Sequence, residues 1–272
     1  MERNGQIDKD LYKEIRPRGS QPARLYGLAK VHKSTVPVRP VLSMPGSAYY
    51  KIANKVAEWL SKVDECKINS SSKLVSDNMR KMRLRKGKEM SSFDIVSLYT
   101  NVPVGEAIKV CADLLYSGKY ERPPVSKETF IELAKISSCD VIMSTHRGLF
   151  KQVDGLAMGS TPAPHLANGW LSQFDSVLKG DSEFFTRYMD DVLQDIDSSE
   201  IEAKLREINS LHPNLTFTVE RQKQGKIPFL DMLISVDEKG KLSSTWYNKP
   251  TDTGLVLNYH ALAPRRYKRS VV

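Results

Sequence analysis

The chain has 272 residues, of which 40% are hydrophobic and 27% charged, with a formal net charge of +9 and a pI near 9.3. This composition is typical of a folded globular protein and argues against wholesale disorder, while the basic balance suggests a polyanionic partner such as nucleic acid. The three cysteines and five histidines are scattered without disulfide or metal-ligand spacing, and there is neither a secretory signal nor an apolar run of about 18 residues that could span a membrane.

The N-terminal part of the chain alternates predicted helices with extended segments. Residues 1–24 are predicted to form a short helix and a connector, and the three prolines within residues 25–47 favour extended or turn structure over a long helix. Residues 48–63 place apolar side chains at helical spacing, which predicts an amphipathic helix. Residues 80–88, RKMRLRKGK, form a basic run.

The middle of the chain begins with SSFDIVSLYT (91–100), whose apolar run predicts a buried strand. Pro103 is placed to open the next helix, and residues 126–138 have the pattern of another amphipathic helix. The segment GLAMGSTPAP (155–164) interrupts regular structure, and a helix is predicted from about residue 163 to 178.

The last part of the chain is predicted to be rich in strands. Residues 184–196 favour a β-hairpin, and a capping box at Asp197 and Glu200 predicts a helix over residues 198–211. Further strands are predicted over residues 215–221, 228–236 and 242–248. This order of elements indicates an α+β fold built on an antiparallel sheet packed by helices.

Two acidic positions stand out because they place carboxylates within otherwise apolar strands. Asp94 lies in the run FDIV, and Asp190 and Asp191 lie between the pairs YM and VL. A buried charge is costly unless it is paired or bound to a metal, and Mg²⁺ prefers hard oxygen ligands of this kind. Adjacent aspartates are equally typical of an ordinary turn, so the surrounding sequence decides between the two readings.

Several blocks around these aspartates occur in a recognisable order: LYGLAKVHK (25–33), RPV (39–41), FDIVSLYTNV (93–102), GLAMGSTPAP (155–164), YMDD (188–191), PFLD (228–231) and YNKPT (247–251). YMDD resembles the Y-x-D-D box of reverse transcriptases, and FDIVSLYTNV and GLAMGSTPAP resemble motifs A and B of that family. The particular amino-acid sequences of these blocks are similar to those of Penelope-like retroelements. The resemblance covers about residues 24–271.

The resemblance implies a right-hand polymerase that extends a DNA primer on an RNA template with dNTPs. Asp94, Asp190 and Asp191 would share two catalytic Mg²⁺ ions, with Mn²⁺ as an alternative metal, and Asp94 and Asp190 would be the more direct ligands. Two such ions would activate the primer 3′-hydroxyl and stabilise the leaving pyrophosphate.

The resemblance also implies a nucleotide site. Arg39 would bind the incoming triphosphate, for which a guanidinium is well suited, and Lys30 and Lys33 would assist, unless they are ordinary surface lysines. Tyr99 would close the sugar pocket against a ribose 2′-hydroxyl, or else would be a core tyrosine.

Gly159 and Ser160 would let the backbone approach the nascent base pair, because glycine has no side chain in the way. Many reverse transcriptases carry glutamine before this glycine, where this chain has Met158. That departure agrees with the sequence Ala-Met-Gly-Ser, which is typical of Penelope-like elements.

Four further features lie outside the blocks that define the site. The basic run 80–88 is a nuclear import signal, a nucleic-acid contact or a solvated loop. Gln194 and Asp195 are unusual after the aspartate pair and indicate either drift or an exposed strand end. Asp231 is best explained as a structural hydrogen-bond acceptor. A second basic cluster, expected to contact the duplex backbone at the edge of a thumb, comprises Arg265, Arg266, Lys268 and Arg269.

The family resemblance predicts a fingers segment over residues 1–90, a palm over 91–250 with an inserted fingers part near 120–150, and the start of an incomplete thumb over 251–272. A thumb and usually a GIY-YIG endonuclease follow in the family, so we expect a fragment, a truncated gene model or a degraded copy. An intracellular, nuclear location is expected, and no oligomeric state is indicated. The alternatives are a catalytically silent nucleic-acid-binding remnant and a nucleotide cyclase, the latter disfavoured by Arg39 and Gly159-Ser160.

Overall fold

The computed structural model describes residues 1–17, 21–30, 36–67, 71–139, 141–249, 254–255 and 257–269. Within these residues it contains two short 3-10 turns, ten α-helices and eleven β-strands. The helices are α1 (Lys9–Ile15), α2 (Tyr50–Leu60), α3 (Ser72–Met79), α4 (Leu98–Asn101), α5 (Val104–Leu115), α6 (Lys127–Ser138), α7 (Ala163–Ser172), α8 (Asp175–Lys179), α9 (Ile201–Asn209) and α10 (Arg265–Arg269). No helix in the described ranges is long and apolar enough to cross a membrane.

The strands form three sheets. They are β1 (Ala23–Ala29), β2 (Val38–Ser43), β3 (Lys88–Ile95), β4 (Ile142–Thr145), β5 (Gly148–Lys151), β6 (Phe185–Tyr188), β7 (Asp191–Asp197), β8 (Phe217–Arg221), β9 (Lys226–Phe229), β10 (Met232–Val236) and β11 (Leu242–Trp246). Their orders are β2-β1-β4-β5, β6-β7-β3-β8 and β11-β10-β9. The predicted α+β fold, built on an antiparallel sheet packed by helices, is confirmed, and the sheet β2-β1-β4-β5 is mixed because β1 and β4 pair in parallel.

The sheet β6-β7-β3-β8 is antiparallel throughout and separates two packed layers. Side chains alternate between its faces, and Phe93 and Val192, which are opposite each other, enter the main core formed with helices α5 and α7. On the other face, Met90 and Leu193 pack against α3 and strands β9 and β10. The alternation therefore places Asp94 and Asp191 on the face that the main helical core does not cover.

The sheet β2-β1-β4-β5 joins two distant parts of the chain, residues 23–43 and 142–151. Pro40 lies in edge strand β2, opposite Gly27, where its missing N–H does not interrupt a central ladder. The expected extended or turn structure is confirmed over 25–30 and 36–47, while 31–35 lie outside the described residues. The helices at 48–63 and 126–138 are also confirmed. The hairpin of β4 and β5 was not predicted.

In the second half of the chain, three predicted elements are divided or lack their predicted cap in the structure. The strand over 228–236 is in fact two, because Leu230 adopts a left-handed conformation (φ 55°) and turns β9 into β10. The helix over 163–178 is interrupted after Ser172, and α8 starts a new segment at Asp175, whose carboxylate pairs with Arg187.

The third difference concerns the proposed capping box. Asp197 is the last residue of β7, and its carboxylate accepts the N–H of Ser199 at 2.9 Å, so it caps a turn and not the helix. The helix α9 begins only at Ile201, with Glu200 at its N-cap. The cross-strand pairing of Asp197 with Lys88 extends β7 to this point.

Gln194 and Asp195 do not lie at an exposed strand end. Each is 1% exposed within β7. The amide oxygen of Gln194 accepts the Ser182 hydroxyl at 3.1 Å, and Asp195 accepts both the Lys88 ammonium and the Phe184 N–H at 2.6 Å. Because these polar groups have partners, they are tolerated inside the sheet, and the exposed-end interpretation was wrong.

Candidate active site

Two neighbouring strands bring the three predicted aspartates together. Asp94 on β3 is directly opposite Asp191 on β7, and Asp190 lies in the turn that leads from β6 to β7. The backbone N–H of Ile95 donates to the carbonyl oxygen of Asp190 at 3.1 Å, which extends the pairing into the turn. Residues far apart in the sequence thus form one carboxylate cluster.

The backbone next to these aspartates is strained. Met189 has φ 55° and Ser97 has φ 53°, and both are non-glycine residues in the left-handed region. Such a conformation costs about 1–3 kcal/mol and persists only where the surrounding structure enforces it. Met189, which is buried, fixes the direction in which the chain presents Asp190.

The environment disfavours the charged form of two of the aspartates. Burial, reinforced by the charges of Asp190 and Asp94, raises the pKa of Asp191 to about 6, although the Lys249 ammonium acts in the opposite direction. Burial also raises the pKa of Asp190, against the lowering effect of Arg39 and Lys30. Since like charges directly opposite one another repel, the cluster is destabilised until a cation arrives.

A divalent cation would relieve that repulsion, and the carboxylates are the hard oxygen ligands that Mg²⁺ takes together with substrate phosphates. The carboxylates of Asp94, Asp190 and Asp191 therefore suit the predicted metal in their ligand chemistry, and the metal site itself stays a prediction. Within the described ranges, no group of three or more His, Cys, Asp or Glu side chains is arranged so that it could already hold a metal ion. The remaining ligands would have to come from water or substrate.

The pKa of Asp191 has a testable consequence for stability. Its folded-state pKa of about 6 lies above the ordinary value of 3.8, so the carboxyl contributes stability at low pH that is lost as the pH rises through this window. We expect Asp191→Asn to be stabilising relative to wild type at neutral pH and nearly neutral below about pH 4. Thermal melts across this range, with and without Mg²⁺, would measure it. A difference that does not change with pH would contradict the assigned cause.

The hairpin of β1 and β2 brings basic residues to the cluster. The N–H of Lys30 donates to the Pro37 carbonyl at 2.9 Å and closes this hairpin. The charges of the exposed Arg39 and of Lys30 act to lower the pKa of Asp190, against the larger effect of burial. Their predicted contact with a triphosphate stays a prediction, and Lys33 lies outside the described residues.

Tyr99 lies in α4, half-buried beside the cluster. Its carbonyl accepts the Leu156 N–H at 2.6 Å, which ties α4 to the segment 155–164. Burial, followed by the charges of Asp190 and Tyr188, raises the pKa of Tyr99 to about 12. The phenol therefore stays protonated next to Asp190, in a position compatible with the predicted sugar pocket.

Gly159 and Ser160 lie where the segment 155–164 packs against β2. Gly159 has φ 96°, and a Cβ at this position would overlap the carbonyl oxygen of Leu42. The Leu42 N–H donates to the Met158 carbonyl at 2.7 Å, so backbone meets backbone here. Ser160 is buried, and its hydroxyl has no hydrogen-bond partner among the described residues. Gly159 thus has a packing role, and its predicted contact with a base pair stays a prediction.

Replacing Gly159 with alanine should destabilise the protein by about 2 kcal/mol or more, because both the positive φ and the Leu42 carbonyl oppose a side chain. Chemical denaturation would measure the change. Gly105, in helix α5, is the matched control, since a Cβ there meets nothing within 4 Å. Gly105→Ala should be neutral or stabilising, and equal losses for the two variants would contradict this account of Gly159.

The basic run 80–88 is integrated into the fold. The Leu84 N–H donates to the Gly240 carbonyl at 2.8 Å, Arg85 forms an ion pair with Glu183, and Lys88 pairs with Asp195. The import-signal, nucleic-acid and solvated-loop interpretations of the run stay predictions. Asp231 accepts a hydrogen bond from the Ser72 hydroxyl, which agrees with a structural role, although Asp231 lies in the β9–β10 turn and not within a strand.

The second basic cluster lies on the short helix α10. The Arg266 guanidinium is 4.9 Å from the Tyr267 ring centroid, and the Lys268 ammonium is 5.4 Å from that of Tyr259. An open cleft lies beside Asp94 and Asp191, and among the described residues that line it, none belongs to α10. Its predicted contact with a nucleic-acid duplex therefore stays a prediction.

An open cleft of about 600 Å³ lies beside Asp94 and Asp191, between β8 and the β9–β10 hairpin. Tyr247 and Lys249 line it, and the Lys249 charge acts on Asp191. Sequence reasoning assigned neither side chain to the site, although both lie in the block YNKPT, of which residues 250–251 are outside the described residues. The position of Lys249 inside this recognised block was the sequence signal that could have placed it at the site.

An antiparallel sheet with one aspartate on a central strand and two at an adjacent hairpin defines the palm of a right-hand nucleic-acid polymerase. Residues 31–227 match the family model described as "Reverse transcriptase (RNA-dependent DNA polymerase)". The chain belongs to this reverse transcriptase family.

Solved structures agree on the fold. Telomerase from Candida albicans in complex with a fragment of telomeric RNA is 14% identical with a TM-score of 0.60, and the match covers 89% of this chain and 48% of that one. The RNA-dependent RNA polymerase of a human picobirnavirus, in an insertion-loop deletion mutant, is 15% identical with a TM-score of 0.57, over 83% and 47% of the two chains. The chain spans about half the length of these structures. No curated protein matches it significantly.

Proposed function

We propose that the chain is the fingers and palm of an RNA-directed DNA polymerase from a Penelope-like retroelement. It would extend a DNA primer with dNTPs on an RNA template. The observation that carries this proposal is the placement of Asp94 opposite Asp191, with Asp190 at the adjoining turn. The family match supports the general activity, and the wording of the segments 25–33 and 155–164 supports the subtype.

Each group near the cluster has a role in this proposal. Asp94 and Asp190 would hold two Mg²⁺ ions, or Mn²⁺, with Asp191 at their edge, and the metals would activate the primer hydroxyl and offset charge on the leaving pyrophosphate. Arg39 and Lys30 would orient the triphosphate from the β1–β2 hairpin. Tyr99 would contact the sugar.

Three further parts of the proposal concern organisation and setting. The predicted division at about residues 90 and 250 makes the sheet β2-β1-β4-β5 part of the fingers and the sheet β6-β7-β3-β8 the palm. The basic residues of α10 would contact the duplex backbone at the start of a thumb. A nuclear location is proposed from the retroelement subtype.

The direct test is extension of a labelled DNA primer on an RNA template with dNTPs and Mg²⁺. We expect template-dependent products, and none when the template is omitted. Salt-sensitive RNA binding by the folded protein without nucleotide incorporation would instead support the alternative of a silent nucleic-acid-binding remnant, which the net charge of +9 favours. Cyclic nucleotide formed without primer would contradict both.

The sugar-pocket role of Tyr99 predicts a change in substrate choice. Tyr99→Val should raise the incorporation of ribonucleotides relative to dNTPs by about 10-fold or more, because a bulky ring no longer opposes the 2′-hydroxyl. Single-nucleotide extension with each substrate would measure the ratio. Tyr116, another half-buried tyrosine, whose hydroxyl donates to the Val125 carbonyl, provides the control. An unchanged ratio in Tyr99→Val would leave Tyr99 as a core residue only.

A further inference from the structure

The turn that presents Asp190 is supported from the sheet face opposite the aspartates. Arg187 on β6 points to the helical side of the sheet, and its side chain is 9% exposed. Its Nε and Nη2 donate to the two carboxylate oxygens of Asp175 at 2.7 and 2.9 Å. Paired bonds of this kind fix the plane of a guanidinium.

The remaining arm of the guanidinium reaches the turn. Its Nη1 donates to the Asn168 amide oxygen at 2.9 Å and to the Met189 carbonyl at 3.4 Å, a long hydrogen bond. Asn168 is 2% exposed, and its own amide nitrogen donates to the Lys67 carbonyl at 3.1 Å. One side chain therefore links helices α7 and α8 to the left-handed residue that precedes Asp190.

We propose that Arg187 is a positioning residue that sets the metal affinity of the aspartate cluster. By holding the Met189 carbonyl it keeps the left-handed turn, and the turn aims Asp190 toward the metal shared with Asp94. Asp175 and Asn168 hold Arg187 in place. Because Arg187 lies behind the sheet, it acts through Met189 and not on substrate. The inference rests on the proposed metal site, but the contacts are independent of it.

If the ion pair of Arg187 and Asp175 were only structural, its loss would lower stability without changing metal affinity. Metal affinity is therefore the deciding measurement. The double variant Arg187→Met/Asp175→Leu removes both charges together and leaves no buried charge uncompensated. We expect the dissociation constant for Mn²⁺, measured by electron paramagnetic resonance, to rise about 10- to 100-fold, as is typical when a residue that orients a ligand is lost. The kcat should fall similarly, with KM for dNTP changed by less than about 3-fold.

The pair of Arg221 and Glu89 on the same sheet is a matched control. Nε and Nη2 of Arg221 donate to the two carboxylate oxygens of Glu89, both at 2.9 Å, as in the Arg187 pair, but this pair is far from the turn. Arg221→Met/Glu89→Leu should shift the melting temperature without changing the Mn²⁺ constant. Arg187→Lys, which keeps the charge but loses the paired geometry, is the second test if the double variant folds poorly, and it should also weaken Mn²⁺ binding.

Unchanged Mn²⁺ affinity in folded Arg187 variants would overturn the proposal, as would equal weakening in the Arg221 control. Failure of the wild type to bind Mn²⁺ would overturn it together with the metal site. If Mn²⁺ binds in an Asp190-dependent way but no nucleotide is incorporated, only the polymerase proposal fails. The two inferences therefore have distinguishable outcomes.

Discussion

Replacing Asp190 with asparagine should reduce primer extension by about 10³-fold or more, equivalent to about 4 kcal/mol of activation free energy. The substitution keeps the size of the side chain and removes the charge that would bind metal. It should not reduce stability, because burial disfavours that charge in the folded protein by more than the nearby Arg39 and Lys30 favour it. Extension assays and thermal melts on the same preparations would measure both effects.

Asp197, half-buried at the far end of the same strand β7, provides the control. Asp197→Asn should retain extension close to the wild-type rate, since it lies about 20 Å along the strand from Asp191. Extension that persists in Asp190→Asn, in preparations free of other polymerases, would remove Asp190 from the proposed chemistry. The same experiment on Asp94→Asn should give a loss of similar size.

Replacing Asp195 should have the opposite consequence, with a large loss of stability and little direct effect on chemistry. Asp195→Leu leaves the Lys88 ammonium without its carboxylate and the Phe184 N–H without an acceptor. Breaking a buried pair in this way costs about 3–5 kcal/mol, which chemical denaturation would measure. At a temperature where the variant is still folded, extension should remain within a few-fold of wild type.

Asp181 is a suitable comparison, because it is exposed and lines the same surface depression as Asp195 and Lys88. Asp181→Asn should melt close to wild type. If Asp195→Leu also melted close to wild type, the buried pair would contribute no net stability. Comparing the Asp190 and Asp195 variants therefore separates the two effects. The Asp190 variant should lose activity, and the Asp195 variant should lose stability.

The sequence was most informative where local pattern and motif agreed. The apolar run around Asp94 indicated a strand, which the structure has as far as Ile95, whereas Leu98 of the same run lies in α4. The turn at Met189 follows from two polar residues between short apolar runs. These features gave the strand, the hairpin and the antiparallel sheet. Helix α6 was also predictable, because residues 126–138 have an amphipathic pattern. In the structure the Ser126 hydroxyl accepts the Thr129 N–H at 3.2 Å, as expected of an N-cap residue.

What could not be predicted depends on partners distant in the chain. The left-handed Leu230 lies in an apolar run, and a single polar residue, Asp231, was too weak a signal to predict the turn there. Asp195 looked misplaced because Lys88, which pairs with it, comes more than a hundred residues earlier. The contacts of Arg187 with Asp175 and Asn168 depend on an interruption between α7 and α8 that helical periodicity does not reveal.

The direct pairing of Asp94 with Asp191 has a consequence for how the protein is made. The two residues are nearly a hundred positions apart, so the strands that carry them can meet only after a long intervening segment has been synthesised and its loop closed. A ribosome-bound chain that ends before β7 lacks Asp191 and therefore cannot form the carboxylate cluster. Because a slip of one residue between β3 and β7 would turn Asp94 and Asp191 to opposite faces, assembly of the cluster also reports that the strands have paired in the correct register.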